Sequence, residues 1–137
     1  MVREFSRLGE HGALWLALGA AGALLDGGRR DRWARGTASV GAAYLLSTSI
    51  KLAIGRRRPV VEDLPHLMAT PTGLSFPSSH ATSSFAAARA YGTLLPAAPL
   101  YAAAAAMAFS RLYLGVHYPS DIAAGAALGT VLGSAGR

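Results

Sequence analysis

Long runs of apolar and small residues, parted by short connections rich in arginine, glycine or proline, constrain this chain more than any other feature. Gly12 to Leu25 carries no charge and stops at Asp26-Gly27-Gly28. As a helix it would extend about 21 Å, short against a hydrocarbon core of about 30 Å, so it spans a bilayer only with help from its flanks. A basic loop, Arg29 to Arg35, follows and contains Trp33, a residue type common at membrane interfaces. A second helix is expected over Gly36 to Ile54, with Lys51 in its last turn. The connection from Gly55 to Pro77 holds four of the chain's seven prolines. A third helix is expected from Ser78 to Leu95, and a fourth runs from the Pro96–Pro99 turn to about Gly115. The fifth runs from Pro119 to the C-terminus, and its Gly125, Gly129 and Gly133 form a smooth stripe for close helix approach.

Composition decides where such helices reside. The 137 residues are 52% hydrophobic and 15% charged, whereas a soluble domain carries roughly 25% charged residues. A soluble fold of this length, one domain over residues 1–137, would lack the interior to hide so much apolar surface. The expectation is therefore all-α: an integral-membrane bundle of about five transmembrane helices, located in the cell (plasma) membrane. Residues 1–10 mix Arg3, Glu4, Arg7 and Glu10 and read as a short amphipathic lead-in on the membrane surface, without a signal-type cleavage site.

Twelve of the thirteen cations are arginine, and Lys51 is the only lysine. Arginine's planar fork matches phosphate oxygens, although interface anchoring explains many arginines equally well. The arginines alternate with apolar runs instead of forming one basic face, so no nucleic-acid partner is expected. The chain has no cysteine, which excludes disulfides, thiolate nucleophiles and Cys-ligated zinc.

Counting crossings puts the second-to-third and fourth-to-fifth connections on one side of the membrane. Three segments beside those connections carry chemistry: Lys51 to Arg58-Pro59, Pro77-Ser78-Ser79-His80, and Ser110-Arg111 with His117 and Asp121. Read alone, each has an ordinary explanation. A Lys before several arginines can anchor a helix end, Pro-Ser-Ser-His can simply start a helix, and His117 with Asp121 can be a structural i, i+4 pair.

Read together, they supply what attack on a phosphate monoester needs. His117 can be the nucleophile if its imidazole is neutral, with Asp121 one turn on to accept its other N–H. His80 can protonate the leaving oxygen and later activate water. The N–H groups of Ser79 and His80, at a helix start, can face the anion. Ser78 can cap that helix or bind a phosphate oxygen, and Lys51, Arg58 and Arg111 supply positive charge. No carboxylate cluster suggests a two-metal site, so no metal or cofactor is expected.

These segments resemble the signature of the type 2 phosphatidic acid phosphatase (PAP2) family. Its pattern is Lys, six residues, Arg-Pro, then Pro-Ser-Gly-His, then Ser-Arg, five residues, His, three residues, Asp. The first and third parts match at full spacing; in the second, Ser79 stands where the pattern has Gly. The resemblance covers residues 51–121. It implies a PAP2/haloperoxidase-like core, a metal-independent phosphohistidine mechanism and a membrane lipid phosphate as substrate. The five helices expected here leave the first of the family's usual six without a counterpart.

Gly9-Glu10-His11 and the run Leu74 to Thr82 are similar to actinobacterial members, among them decaprenylphosphoryl-5-phosphoribose phosphatases of cell-wall synthesis. That resemblance favours a polyprenyl-linked sugar phosphate. Phosphatidic acid, phosphatidylglycerol phosphate and polyprenyl pyrophosphate are the alternatives. Two other classes compete: the vanadium haloperoxidases, which are larger and soluble, and a non-enzymatic lipid-binding membrane protein. His11 and His66 have no partner at useful spacing, Arg56 and Arg57 could bind a headgroup or anchor the helix end, and Arg89 stands unexplained in the third helix.

Overall fold

The computed structural model describes residues 1–60 and 67–137; His66 and Asp63 lie outside them. The described residues form six α-helices: α1 (Val2–Leu8), α2 (Ala13–Leu25), α3 (Arg30–Ile54), α4 (Ser79–Tyr91), α5 (Ala97–Tyr113) and α6 (Pro119–Ser134). The five apolar runs thus give the five longer helices, in all-α architecture.

The basic stretch read as a loop is largely helical. Gly27–Arg29 is a single 3-10 turn and α3 begins at Arg30. Arginine, alanine and tryptophan all tolerate a helix, and no breaker stands before Gly36. Asp26 fastens the entry: its carboxylate pairs with Arg29 at 2.6 Å and accepts the Trp33 indole N–H at 3.1 Å. The third helix in turn is shorter than expected. It ends at Tyr91, where Gly92 follows, and the N–H groups of Leu94 and Leu95 turn back onto the Tyr91 carbonyl.

α4 is the central element, touching α2, α3, α5 and α6. Nine of its thirteen residues are buried, which explains a sequence built from Ala, Ser and Thr: small side chains let four neighbours approach. Its buried hydroxyls are satisfied without water. Thr82 donates to the Ser78 carbonyl, Ser83 to the Ser79 carbonyl, and Ser84 accepts the Trp15 indole N–H at 2.8 Å.

The glycine stripe of α6 lies against α4. A Cβ on Gly125 would stand 2.7 Å from the Ser78 carbonyl oxygen, and those on Gly129 and Gly133 would overlap the carbonyls of Thr82 and Ala86. Backbone meets backbone along this seam, as small residues permit. Arg89, one turn from that seam, donates to Ser134 Oγ of α6 at 3.0 Å, which accounts for its place in α4.

Leu24, Leu25, Leu45, Leu52, Phe109 and Val131 point outward and are exposed, an apolar exterior suited to lipid. Among the described residues one helix, Gly27–Ile54, is long and apolar enough to cross a membrane, and Val2–Leu8 with Glu10–Leu25, bent by 46°, passes the same test as a pair. With 13, 17 and 16 residues, α4, α5 and α6 fall short of a full span.

Candidate active site

The site forms where the α3–α4 and α5–α6 connections meet. Gly55, at φ 67°, ends α3 and returns its N–H to the Lys51 carbonyl. The outgoing chain then pairs with the returning one: Arg58 N–H donates to the Gly73 carbonyl and Ser75 N–H to the Arg56 carbonyl, at 3.1 and 2.7 Å. Gly115, at φ 69°, makes the equivalent turn after α5 and delivers His117 to the same place.

Lys51 and Arg58 are buried and held by backbone oxygens. Lys51 Nζ donates to the carbonyls of Pro77 (2.8 Å) and Ser75 (3.3 Å). Arg58 donates to Thr72 (2.9 Å) and Val116 (2.6 Å), and its Nη1 lies 3.3 Å from His117 Nε2. Arg111, 2% exposed at the end of α5, donates to Ser6 Oγ (2.6 Å) and Met68 Sδ (3.0 Å), and among the described residues its Nε finds no partner. Three cations gathered with no carboxylate among the described residues bridging them are costly to bury. A dianion between them would relieve that cost.

His117 is set between two groups of opposite charge. Nδ1 stands 3.4 Å from Asp121 Oδ2 and Nε2 faces Arg58. Burial, and then the charges of Arg58, Arg111 and Lys51, push the His117 pKa down to about 2, so the ring is neutral. A proton on Nδ1, facing the carboxylate, leaves a lone pair on Nε2 pointing at the cations. Asp121 is fully buried behind it and occupied on every side: Oδ2 accepts the Tyr118 N–H at 2.8 Å, which caps α6, and Oδ1 accepts from Arg56 at 3.1 Å.

The α4 start supplies the remaining groups. Ser78 is the helix cap, its Oγ accepting the Ala81 N–H at 3.4 Å while its own N–H donates to the Asp121 carbonyl. Of its two expected roles, capping is the one its contacts display. Ser79 Oγ meets Ser47 Oγ at 2.9 Å, and His80 Nε2 lies 3.1 Å from the Ser6 carbonyl. Lys51, Arg58, Ser79, His80, Arg111 and His117 all line one cavity of about 120 Å³; Ser78 and Asp121 stand behind its wall. Among the described residues, no group of three His, Asp or Glu side chains could hold a metal ion.

Several residues of this site were not singled out from sequence. Residues 1–10 do not lie apart as a surface lead-in: α1 packs on α5, and Ser6 is fully buried between His80 and Arg111. Glu10, His11, Tyr44 and Thr48 line the same cavity, and His11 has a partner after all, Tyr44 Oη at 2.6 Å. Arg56, read as a headgroup binder or anchor, instead contacts Asp121 and lies 4.3 Å over the Tyr118 ring. The one available signal was the run Gly9-Glu10-His11, noted above only for its likeness to actinobacterial members.

Comparison with known proteins agrees with this geometry. The chain is 45% identical over 125 residues to the decaprenylphosphoryl-5-phosphoribose phosphatase of Mycolicibacterium smegmatis, covering 90% of this chain and 68% of that protein. Its fold superposes on the crystal structure of Aquifex aeolicus LpxE with a TM-score of 0.81 and 25% identity, covering 96% of this chain and 80% of the other. The transmembrane PAP2 type phosphatidylglycerolphosphate phosphatase from Bacillus subtilis gives 0.71 and 25% identity, covering 96% and 70%. The sequence profile of the PAP2 superfamily matches residues 34–136, a stretch that begins just inside α3 and takes in every cavity-lining cation. The chain therefore belongs to the PAP2 superfamily and is a membrane-associated phosphoric monoester hydrolase of the PAP2 type.

Proposed function

We propose that this PAP2-type lipid phosphatase hydrolyses a polyprenyl-linked sugar phosphate of the decaprenylphosphoryl-5-phosphoribose type in the plasma membrane, as a single catalytic domain over residues 1–137. The observation that carries the mechanism is the placement of His117, with Nδ1 toward Asp121 and Nε2 toward Arg58. Lys51, Arg58 and Arg111 hold the phosphate oxygens, helped by Ser79 at the start of α4 and by Ser78 as its cap. His117 Nε2 attacks phosphorus. The P–O bond to the alcohol breaks, and His80 gives the leaving oxygen its proton. The positive phosphohistidine ring keeps its Nδ1 proton against Asp121. Water then attacks phosphorus, His80 takes back a proton, and inorganic phosphate leaves. No step requires a metal ion.

The sugar-phosphate substrate is supported by the likeness to the mycobacterial enzyme of that name. A bundle of five membrane-crossing helices is supported by the five apolar helices and the outward-facing leucines. The shorter helices would cross where the bilayer thins around them and flanking residues snorkel to the interface.

A phosphate-release panel in detergent tests the reading. The polyprenylphosphoryl phosphoribose should be hydrolysed faster than phosphatidic acid, phosphatidylglycerol phosphate or polyprenyl pyrophosphate. Acid-labile, base-stable phosphate should be trapped on wild-type protein and be missing from His117→Ala. Release by His117→Ala at the wild-type rate would sink the mechanism.

A further inference from the structure

The cavity is lined by two chemically different sets of residues. One is cationic and built from Lys51, Arg58 and Arg111. The other is built from Glu10, His11, Tyr44 and Thr48, none of which the phosphate chemistry uses. We infer that Glu10 and the His11–Tyr44 pair form a hydroxyl-binding subsite that recognises a polyol, such as a sugar ring, as the alcohol part of the substrate. This rests on the lipid sugar-phosphate reading above and assigns the residues that would read the sugar.

Position comes first. The leaving alcohol must sit beside His80, the group proposed to protonate it. Gly9 packs on that ring so closely that a Cβ there would stand 2.9 Å from His80 Cδ2. Glu10 and His11 are the next two residues along the chain and line the same cavity as His80, which favours them over the cations as neighbours of the leaving group. The backbone at His11 takes φ 53°, which few non-glycine residues adopt. That turn carries the ring to Tyr44 on α3, 2.6 Å from Nδ1 to Oη, edge-on at 79°. Engaged through Nδ1, the ring keeps Nε2 for a further hydrogen bond.

Chemistry comes second. Among the described residues Glu10 is the only acid lining the cavity, and it enters none of their ion pairs. A carboxylate near a phosphate dianion repels it. A site for phosphate alone gains nothing from that repulsion. A site that must also bind a neighbouring diol does gain, because a carboxylate can accept hydrogen bonds from two adjacent hydroxyls. Tyr44, Thr48 and His11 add hydrogen-bonding groups from the same set. An acyl glycerol or plain alkyl chain would leave these groups unpaired, and sites built for hydroxyls reject substrates that lack them.

The test is equilibrium binding of ribose 5-phosphate and of n-butyl phosphate to the full chain in detergent, in a His117→Ala background that stops turnover. The chain without further change should prefer the sugar phosphate by about tenfold or more. Glu10→Gln and Tyr44→Phe should each cut that preference several-fold, and together should bring the two affinities near equality. Equal affinities at the outset, or a preference that survives both substitutions, would overturn the inference. Thermal unfolding of each variant guards against misfolding, since a collapsed site loses both ligands together and leaves no selective change to read. Failure of the lipid panel with retained sugar preference here would reject the named lipid and keep the subsite.

Discussion

Arg56 Nη1 lies 3.1 Å from Asp121 Oδ1, on the side of the carboxylate opposite His117. The same guanidinium donates to Ser120 Oγ at 2.8 Å and stacks over Tyr118. Asp121 is therefore held by a cation that does not line the cavity, which casts Arg56 as a positioning residue in the proposed mechanism. Arg56→Ala should lower kcat about tenfold, ~1.4 kcal/mol of barrier, with KM changed little. Arg56→Lys, which can still reach one oxygen, should recover part of that loss. Steady-state rates on a lipid phosphomonoester check this, and a rise in KM alone would assign Arg56 to substrate binding instead.

Ser6 uses two different atoms on two different groups, which lets its roles be separated. Its hydroxyl accepts from Arg111, and its carbonyl faces His80. Ser6→Ala removes only the first, a hydrogen bond to a charged group worth about 1.5–3 kcal/mol. It should raise KM several-fold while kcat changes little. Deleting residues 1–8 removes both contacts and should lower kcat as well. A deletion variant with wild-type kcat would show that His80 needs no orientation from α1.

The contrast between α1 and the motif residues shows what could be read from sequence. His117 and Asp121 are one helical turn apart, so their meeting is a local matter that spacing reveals. The convergence of Lys51, His80 and Arg111 followed from placing two connections at one end of the bundle. Ser6 with Arg111, and Arg56 with Asp121, are separated by 105 and 65 residues. Those contacts depend on how α1 docks on α5 and how the loop after Gly55 turns, and no periodicity encodes either. The stretch Arg29–Arg35 misled for a different reason. Its charges depress hydropathy, yet hydropathy reports where a segment sits and not whether its backbone is helical.

The seam between α4 and α6 makes a stability prediction with an internal control. A Cβ on Gly129 would meet the Thr82 carbonyl and the Ala86 N–H, both backbone and unable to move aside. Gly129→Ala should cost about 1–3 kcal/mol as overpacking does and lower the unfolding midpoint in detergent. Gly41, within α3, has nothing within 4 Å of its would-be Cβ. Gly41→Ala should leave the midpoint unchanged or raise it slightly, since alanine is favoured over glycine in a helix by roughly 0.5–1 kcal/mol. Because α6 carries Asp121 and α4 carries His80 on the two sides of this seam, the Gly129 variant should lose activity along with stability.

The neutral His117 links stability to pH with a definite sign. In the folded chain its pKa is held near 2 by burial and by the neighbouring cations, against an ordinary value of 6.5. Between those two values the unfolded state carries one more proton than the folded state. Stability therefore rises with pH through this window: the contribution is complete above 6.5 and is lost on acidification, by up to about 1.4 kcal/mol per pH unit for one proton. His117→Gln cannot titrate and should flatten the fall in unfolding midpoint between pH 6.5 and pH 4.5 relative to wild type. Inorganic phosphate should also flatten it, since an anion between Lys51, Arg58 and Arg111 offsets the charges that depress the ring. Parallel midpoint curves for wild type and His117→Gln would mean that His117 keeps an ordinary pKa, and the neutral nucleophile would have to be abandoned.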